Sequence, residues 1–293
     1  MSLRNFLQNL VVLRKKNLKE IFSDAGFAKN YDELLDNLRY ELFDDAPYKP
    51  KIKTVDESID EILKHHYSVA RFGDGEFQLM CGNSIPFQKH SKELQQRMID
   101  VFNSDISKLK IAIVRAMWFD KSNLSDINKN FWRRYGPGFR KQILPYIDMK
   151  KTYFAAEMTL AYTYFKNYDI ETYFKKIRKI WDNKDIVVVC GKSVFDNIDN
   201  NIFDNVKSID YVYTKAINAF DEYDDLLSKV KKQNKGKIII AICGPTAKVL
   251  VYDLAKIGYW ALDMGHIAKA YDWYKKNLRA DDMKSAINFF NPD

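Results

Sequence analysis

Residues 237–266 read KIIIAICGPTAKVLVYDLAKIGYWALDMGH: an apolar run, a glycine-proline turn, a helical stretch and a second short apolar run. The first run, 237–243, is rich in β-branched residues and does not alternate, as a strand covered on both faces requires. Ala247, Leu250, Val251, Leu254 and Ala255 then recur at helical spacing, so one helix face turns inward. Residues 259–263 form the next strand. Strand, helix and strand in this order imply a parallel pair joined by a right-handed crossover. Runs of the same kind lie at 185–190 and 209–213, and earlier at 68–72 and 111–114. The fold class is therefore α/β, a Rossmann-like open and mostly parallel sheet flanked by helices. Ligands in such sheets bind beyond the carboxyl ends of the strands, where Gly191, Gly244 and Gly265 all fall.

Upstream of the sheet, Leu3, Phe6, Leu7, Leu10 and Val11 mark one amphipathic helix, and Leu34, Leu35, Leu38 and Leu42 a second. Ala46-Pro47-Tyr48-Lys49-Pro50 breaks the pattern. The chain thus divides into a helical extension, 1–50, and a catalytic domain, 51–293. In the latter, Val55, Ile59, Ile62, Leu63 and His66 share a helical face, and a helix is expected to restart at Phe77. The segment 123–181 has helical periodicity around a turn at Gly136-Pro137-Gly138.

The 293 residues are 46% hydrophobic and 14% aromatic, enough for a sizeable ordered core. The net charge is +8. Half of that excess sits in residues 1–20, where Arg4, Arg14, Lys15, Lys16 and Lys19 face only Glu20. That segment could touch an anionic membrane surface or a partner, or pack on its own domain; no nucleic-acid partner is expected. Cys81, Cys190 and Cys243 form no metal or disulfide pattern, and no apolar run reaches the length of a membrane span. A cytoplasmic protein is expected.

Asp74-Gly75-Glu76 follows the 68–72 strand directly, and Gly73 and Gly75 let the backbone turn tightly enough to bring both carboxylates to one side. Oxygen ligands of this kind suit Mn²⁺ or Mg²⁺ with positions left open for phosphate oxygens. The other reading is a capped turn, since both acids favour a helix N-terminus. Arg71 could add a phosphate contact. Asp169-Ile170-Glu171 has the same spacing without glycine and reads as solvated surface. Gly244-Pro245-Thr246 opens a helix and could bind phosphate. Gly191-Lys192-Ser193 lacks the glycine that a Walker loop needs five residues upstream, and no G-x-G-x-x-G or G-x-S-x-G occurs. Asp263-Met264-Gly265-His266 ends the last strand, with His266 a candidate metal or acceptor contact.

With these residues assembled, the chain resembles the GT-D-fold glycosyltransferases, bacterial enzymes that extend glycans on serine-rich adhesins. The matching pieces are Ala70 to Glu76, Ile202 to Ile209, Asn218 to Asp224, Gly244 to Ala247 with Tyr252-Asp253-Leu254, and Asp263 to Ile267, within about residues 55–275. The resemblance implies a D-x-E metal motif at Asp74 and Glu76 and a UDP-sugar donor, typically UDP-glucose; Arg71, Gly73, Gly244, Pro245 and Thr246 are the candidate donor contacts. The acceptor would be a hydroxyl of a glycan or glycoprotein. The chain departs from the relatives' pattern at Phe195-Asp196-Asn197-Ile198-Asp199, where they carry an arginine and paired glycines, and at Ala155-Ala156-Glu157, where they have Ser-Arg. Glu157 and Asp120 are candidate acceptor bases. The competing readings are another metal-dependent phosphoryl or nucleotidyl enzyme, and a non-enzymatic basic binding module.

Overall fold

The computed structural model describes residues 49–280 and 283–290. The helical extension, apart from Lys49 and Pro50, and every contact expected of residues 1–20 lie outside the described residues. In chain order the elements are β1 (Lys51–Ile52), α1 (Val55–His65), β2 (Ser68–Phe72), α2 (Asp74–Met80), α3 (Lys92–Phe102), β3 (Leu109–Ile113), α4 (Asp126–Ile143), β4 (Thr152–Ala155), α5 (Ala161–Tyr164), α6 (Ile170–Arg178), β5 (Asp185–Gly191), β6 (Ser208–Thr214), α7 (Tyr223–Lys231), β7 (Ile238–Ile242), α8 (Thr246–Lys256), β8 (Ala261–Asp263), α9 (Ile267–Lys275) and α10 (Met283–Phe290).

Among the described residues the strands form a single sheet in the order β1-β4-β3-β2-β8-β7-β5-β6. Every adjacent pair is parallel. The expected mostly parallel sheet is thus parallel throughout. Its central strands are covered on both faces, which is why all five residues of β7 are buried. On one face α8 supplies the cover, with Ala247, Leu250, Val251 and Leu254 inaccessible to solvent. The edges look different: β1 has two residues, and β6 buries only Val212 and Thr214. No described helix is long and apolar enough to cross a membrane.

Local chemistry sets the helix ends. Thr54 and Glu57 form a reciprocal capping box at the start of α1, and His66 stops that helix in the left-handed region at φ 54°. Two expectations change. The Gly136-Pro137-Gly138 stretch is not a turn but part of α4, held helical by the buried stripe of Trp132, Gly136, Arg140 and Ile143. Tertiary burial there outweighs the hydrogen bond that Pro137 cannot donate. The helix expected from Phe77 begins at Asp74, so both acids of the D-x-E motif lie in its first turn.

Candidate active site

The first half of the chain builds one half of the sheet and the second half builds the other. They meet where β2 pairs with β8, at Val69 and Leu262. At such a switch the connections leave in opposite directions and open a crevice beyond the carboxyl ends. Arg71, Asp74 and Glu76 reach it from β2 and α2, Asp263, Gly265 and His266 from the end of β8, and Lys248 from α8.

Asp263 is the buried hub. Its Oδ2 accepts the Arg71 backbone N–H at 3.1 Å and lies 3.1 Å from the Lys248 ammonium. Its Oδ1 accepts no hydrogen bond among the described residues and lies 3.7 Å from the Arg71 guanidinium. Arg71 Nε donates to the Ala156 carbonyl at 2.9 Å, which fixes the plane of the guanidinium. Gly265 makes that placement feasible. Its φ is +47°, and a β-carbon there would stand 2.2 Å from Arg71 Nη1.

Glu76 occupies the third position of α2, and its Oε2 accepts the Gly73 N–H at 2.8 Å. Its Oε1 lies 2.9 Å from Lys248 Nζ. Burial pushes the Glu76 pKa up, but the Lys248 charge and hydrogen bond and the Gly73 N–H outweigh it and hold the carboxyl below its ordinary value. Burial likewise works against the charge on Lys248, which Asp263 and Glu76 more than restore. Asp74 has no such cationic partner among the described residues. Burial and then the Glu76 charge raise its pKa from 3.8 to about 6. Three carboxylates, Asp74, Glu76 and Asp263, thus face two cations, Arg71 and Lys248, and Asp74 is the unmatched one.

That imbalance bears on the expected metal. Among the described residues no three His, Cys, Asp or Glu side chains are grouped to hold an ion. Mg²⁺, however, is ordinarily held by one or two carboxylates together with substrate phosphates and water. A half-buried carboxylate that no described cation pairs with, beside a second acid, fits that donor set.

Other expected site residues are placed differently. His266 packs among Phe87, Phe289 and Phe290 with ring centroids 5.6–6.0 Å away. Burial, then the Arg71, Lys269 and Lys248 charges, lower its pKa from 6.5 to about 4, so the imidazole is neutral. Glu157 is sealed from solvent; one oxygen accepts the Ala116 N–H at 3.0 Å and the other accepts nothing. Burial raises its pKa. Asp120 is exposed and closes a local turn onto Ser122. The turn after β7 has Gly244 at φ +57°, but the Ala247 and Lys248 N–H groups bond back to Gly244 and Pro245, and Thr246 is wholly buried with its hydroxyl unbonded. What this turn brings to the crevice is Lys248, which the helical periodicity does not single out. A lysine in the first turn of an otherwise apolar helix, against the helix dipole, is the signal for it. As expected of surface, Asp169 caps α6 through the Thr172 N–H and Glu171 pairs with Lys175. The Phe195 to Asp199 loop is tied to α9, with the Asp199 and Asn200 N–H groups donating to Asp272.

A profile of the family "Glycosyltransferase GT-D fold" matches residues 69–288. The glycosyltransferase GlyD of Streptococcus pneumoniae serotype 4 is 29% identical over 246 residues, which are 78% of this chain and 28% of that protein. A second relative, from Streptococcus gordonii, is likewise matched over 33% of its length, so the chain spans about a third or less of either. Among solved structures, a glycosyltransferase from Streptococcus sanguinis superposes with a TM-score of 0.73 at 29% identity, over 78% of this chain and 86% of that one. The domain of unknown function 1792, described as having a distinct glycosyltransferase fold, gives 0.75 at 30% identity over 83% and 86%.

Proposed function

The chain belongs to the glycosyltransferases of the GT-D fold, and from that premise we propose that it moves a hexose, glucose by preference, from a UDP-sugar to a hydroxyl of a glycan or glycoprotein. The observation that carries the reading is the unmatched Asp74 carboxylate beside Glu76 at the β2–β8 crevice. Asp74 and Glu76 would hold Mn²⁺ or Mg²⁺. When bound, the ion would neutralise charge growing on the departing diphosphate. Arg71 and Lys248 would offset part of the carboxylate charge that a diphosphate meets in the crevice, and Asp263 holds both cations in place. Gly73 and the exposed Gly244 would border the donor, with Pro245 and Thr246 buried beneath the turn. A neutral His266 suits a hydrogen bond to donor or acceptor better than proton abstraction, because a general base works best with a pKa near the working pH. The three free cysteines, Cys81 of them exposed, accord with a reducing cytoplasm.

The test is a panel of UDP- and GDP-sugars with Mn²⁺ read by thermal shift, followed by product analysis. At about 100 Kd a ligand selective for the folded state adds roughly 2.7 kcal/mol. UDP-glucose is expected to raise the melting temperature and to yield UDP with a glycosylated acceptor. Stabilisation by GDP-mannose alone, or release of pyrophosphate, would overturn it.

A further inference from the structure

Strand β6 is an edge of the sheet, and yet it presents two aromatic side chains to solvent, Tyr211 at 37% and Tyr213 at 45% exposure. An exposed apolar edge invites unwanted strand pairing, so a pair of bare rings there needs a reason. The two rings are parallel within 8°, with centroids 5.8 Å apart. Phe195 meets Tyr211 edge-on at 5.9 Å and packs in turn against the buried Phe203, which braces the pair from the core side. Beside the rings lies a shallow cavity of about 450 Å³, bordered also by Lys192, Lys229, Lys232 and Gln233. Lys229 is engaged with Asp225, whereas Lys192 and Lys232 pair with no carboxylate among the described residues.

We propose that the Tyr211–Tyr213 groove is an accessory subsite for the glycan part of the acceptor. A pyranose has an apolar C–H face and a rim of hydroxyls. Flat tyrosine faces match the first, and amine, carboxamide and phenol groups match the second. An apolar peptide would have to bury against lysine ends and would gain little here. The position also suits an acceptor longer than one sugar. Tyr213 is in register with Cys190, next to Gly191 at the carboxyl end of β5, so its ring stands toward the rim on which the crevice opens, while Lys229, Lys232 and Gln233 carry the groove away from that rim along the edge. From β6 to β2 is four strand spacings, about 19 Å. A glycan would span that distance, its growing end at Asp74 and its older units on the tyrosines. This rests on the glycosyltransferase reading and extends it to the acceptor.

The test is capture of the full chain by an array of immobilised neutral and amino-sugar oligosaccharides, with single-stranded RNA as a further probe. Wild type should bind longer oligosaccharides, and Tyr211→Ala with Tyr213→Ala should lose at least about tenfold in affinity, roughly the effect of the lost stacking. Tyr→Phe at both sites should retain capture and Tyr→Leu should not, which separates ring stacking from apolar burial. All variants should keep the wild-type melting shift with UDP-glucose. The proposal is overturned by wild type capturing no oligosaccharide, by capture that survives removal of the rings, or by tyrosine-dependent capture of RNA in place of glycans. Absence of a UDP-glucose shift in wild type with tyrosine-dependent glycan capture intact would instead remove the donor assignment and leave this subsite standing.

Discussion

The Lys248 ammonium stands 2.9 Å from the Glu76 carboxylate, with the two side chains only 6% and 13% exposed. This pair joins the first turn of α8 to the first turn of α2 across the β2–β8 junction, and so locks the geometry of the crevice. Removing one member of a buried pair strands the other in low dielectric, at a cost of roughly 3–5 kcal/mol. Lys248→Met is expected to lower the unfolding free energy by about 3 kcal/mol in urea titrations. Adding Glu76→Gln should return about 1 kcal/mol or more, because the stranded charge is gone. Strict additivity of the two substitutions would show that the contact carries no coupling.

Gly265→Ala should disturb the site through Arg71. A β-carbon would collide with Nη1 at 2.2 Å and would also have to tolerate φ +47°. The backbone cost alone is about 1–2 kcal/mol. Gly258→Ala supplies the control, since its φ is +83° with nothing within 4 Å of a new β-carbon. Gly265→Ala should destabilise more than Gly258→Ala, and in an Arg71→Ala background the excess should vanish. Equal costs in the two backgrounds would dissociate Gly265 from Arg71.

Asp74 and His266 should pull stability in opposite directions with pH. The folded chain keeps a proton on Asp74 between pH 3.8 and about 6 that the unfolded chain releases, so stability falls as pH rises through that window. The unfolded chain keeps a proton on His266 between about 4 and 6.5 that the folded chain refuses, so stability falls as pH drops through it. Both groups are partly exposed, which discounts each effect to about 1–2 kcal/mol. In wild type the two largely cancel between pH 4 and 6. Relative to wild type, Asp74→Asn should gain stability as pH rises across this range and His266→Gln should lose it. Parallel denaturation profiles for all three proteins would refute the opposition.

The parts of this fold that are legible in the sequence are those that physics makes redundant. A strand covered on both faces must be apolar along its length, so residues 185–190 and 237–243 announce themselves and the parallel sheet follows. The edge strand Lys51–Ile52 buries only Ile52, and the four residues of Thr152–Ala155 are too few to show a period. Gly136-Pro137-Gly138 is turn chemistry by any local rule, and only the burial of Trp132 and Ile143 makes it helix. Of the site, the glycine-flanked acids Asp74 and Glu76 stand out. Lys248 does not, because its role depends on Glu76 and Asp263, distant in sequence and adjacent only after folding. The same distance hides that Glu157 is sealed against Ala116, whereas Asp120 closes a local turn onto Ser122, two residues away.

The central prediction separates folding from catalysis at the two acids. Asp74 is the unmatched carboxylate, so Asp74→Asn removes a charge that burial penalises and should leave the protein at pH 7 as stable as wild type or about 1–2 kcal/mol more so. Glu76→Gln removes the partner of a buried lysine and should destabilise by about 1–3 kcal/mol, eased by Asp263, which stays 3.1 Å from Lys248. Sugar transfer should not follow stability. If both acids hold a divalent ion against the leaving diphosphate, each loss removes several kcal/mol of stabilisation, and at 1.36 kcal/mol per tenfold in rate, activity should fall by at least about 10²-fold in both variants. Asp169→Asn with Glu171→Gln carries the same spacing at the exposed start of α6 and should change transfer little. Stability and turnover measured on the same preparations therefore give a two-by-two result. A more stable yet inactive Asp74→Asn is the signature of a carboxylate kept for chemistry at the expense of the fold. Near-wild-type UDP-sugar turnover with intact divalent dependence in both variants would take the metal away from these acids and leave them as the cap of α2.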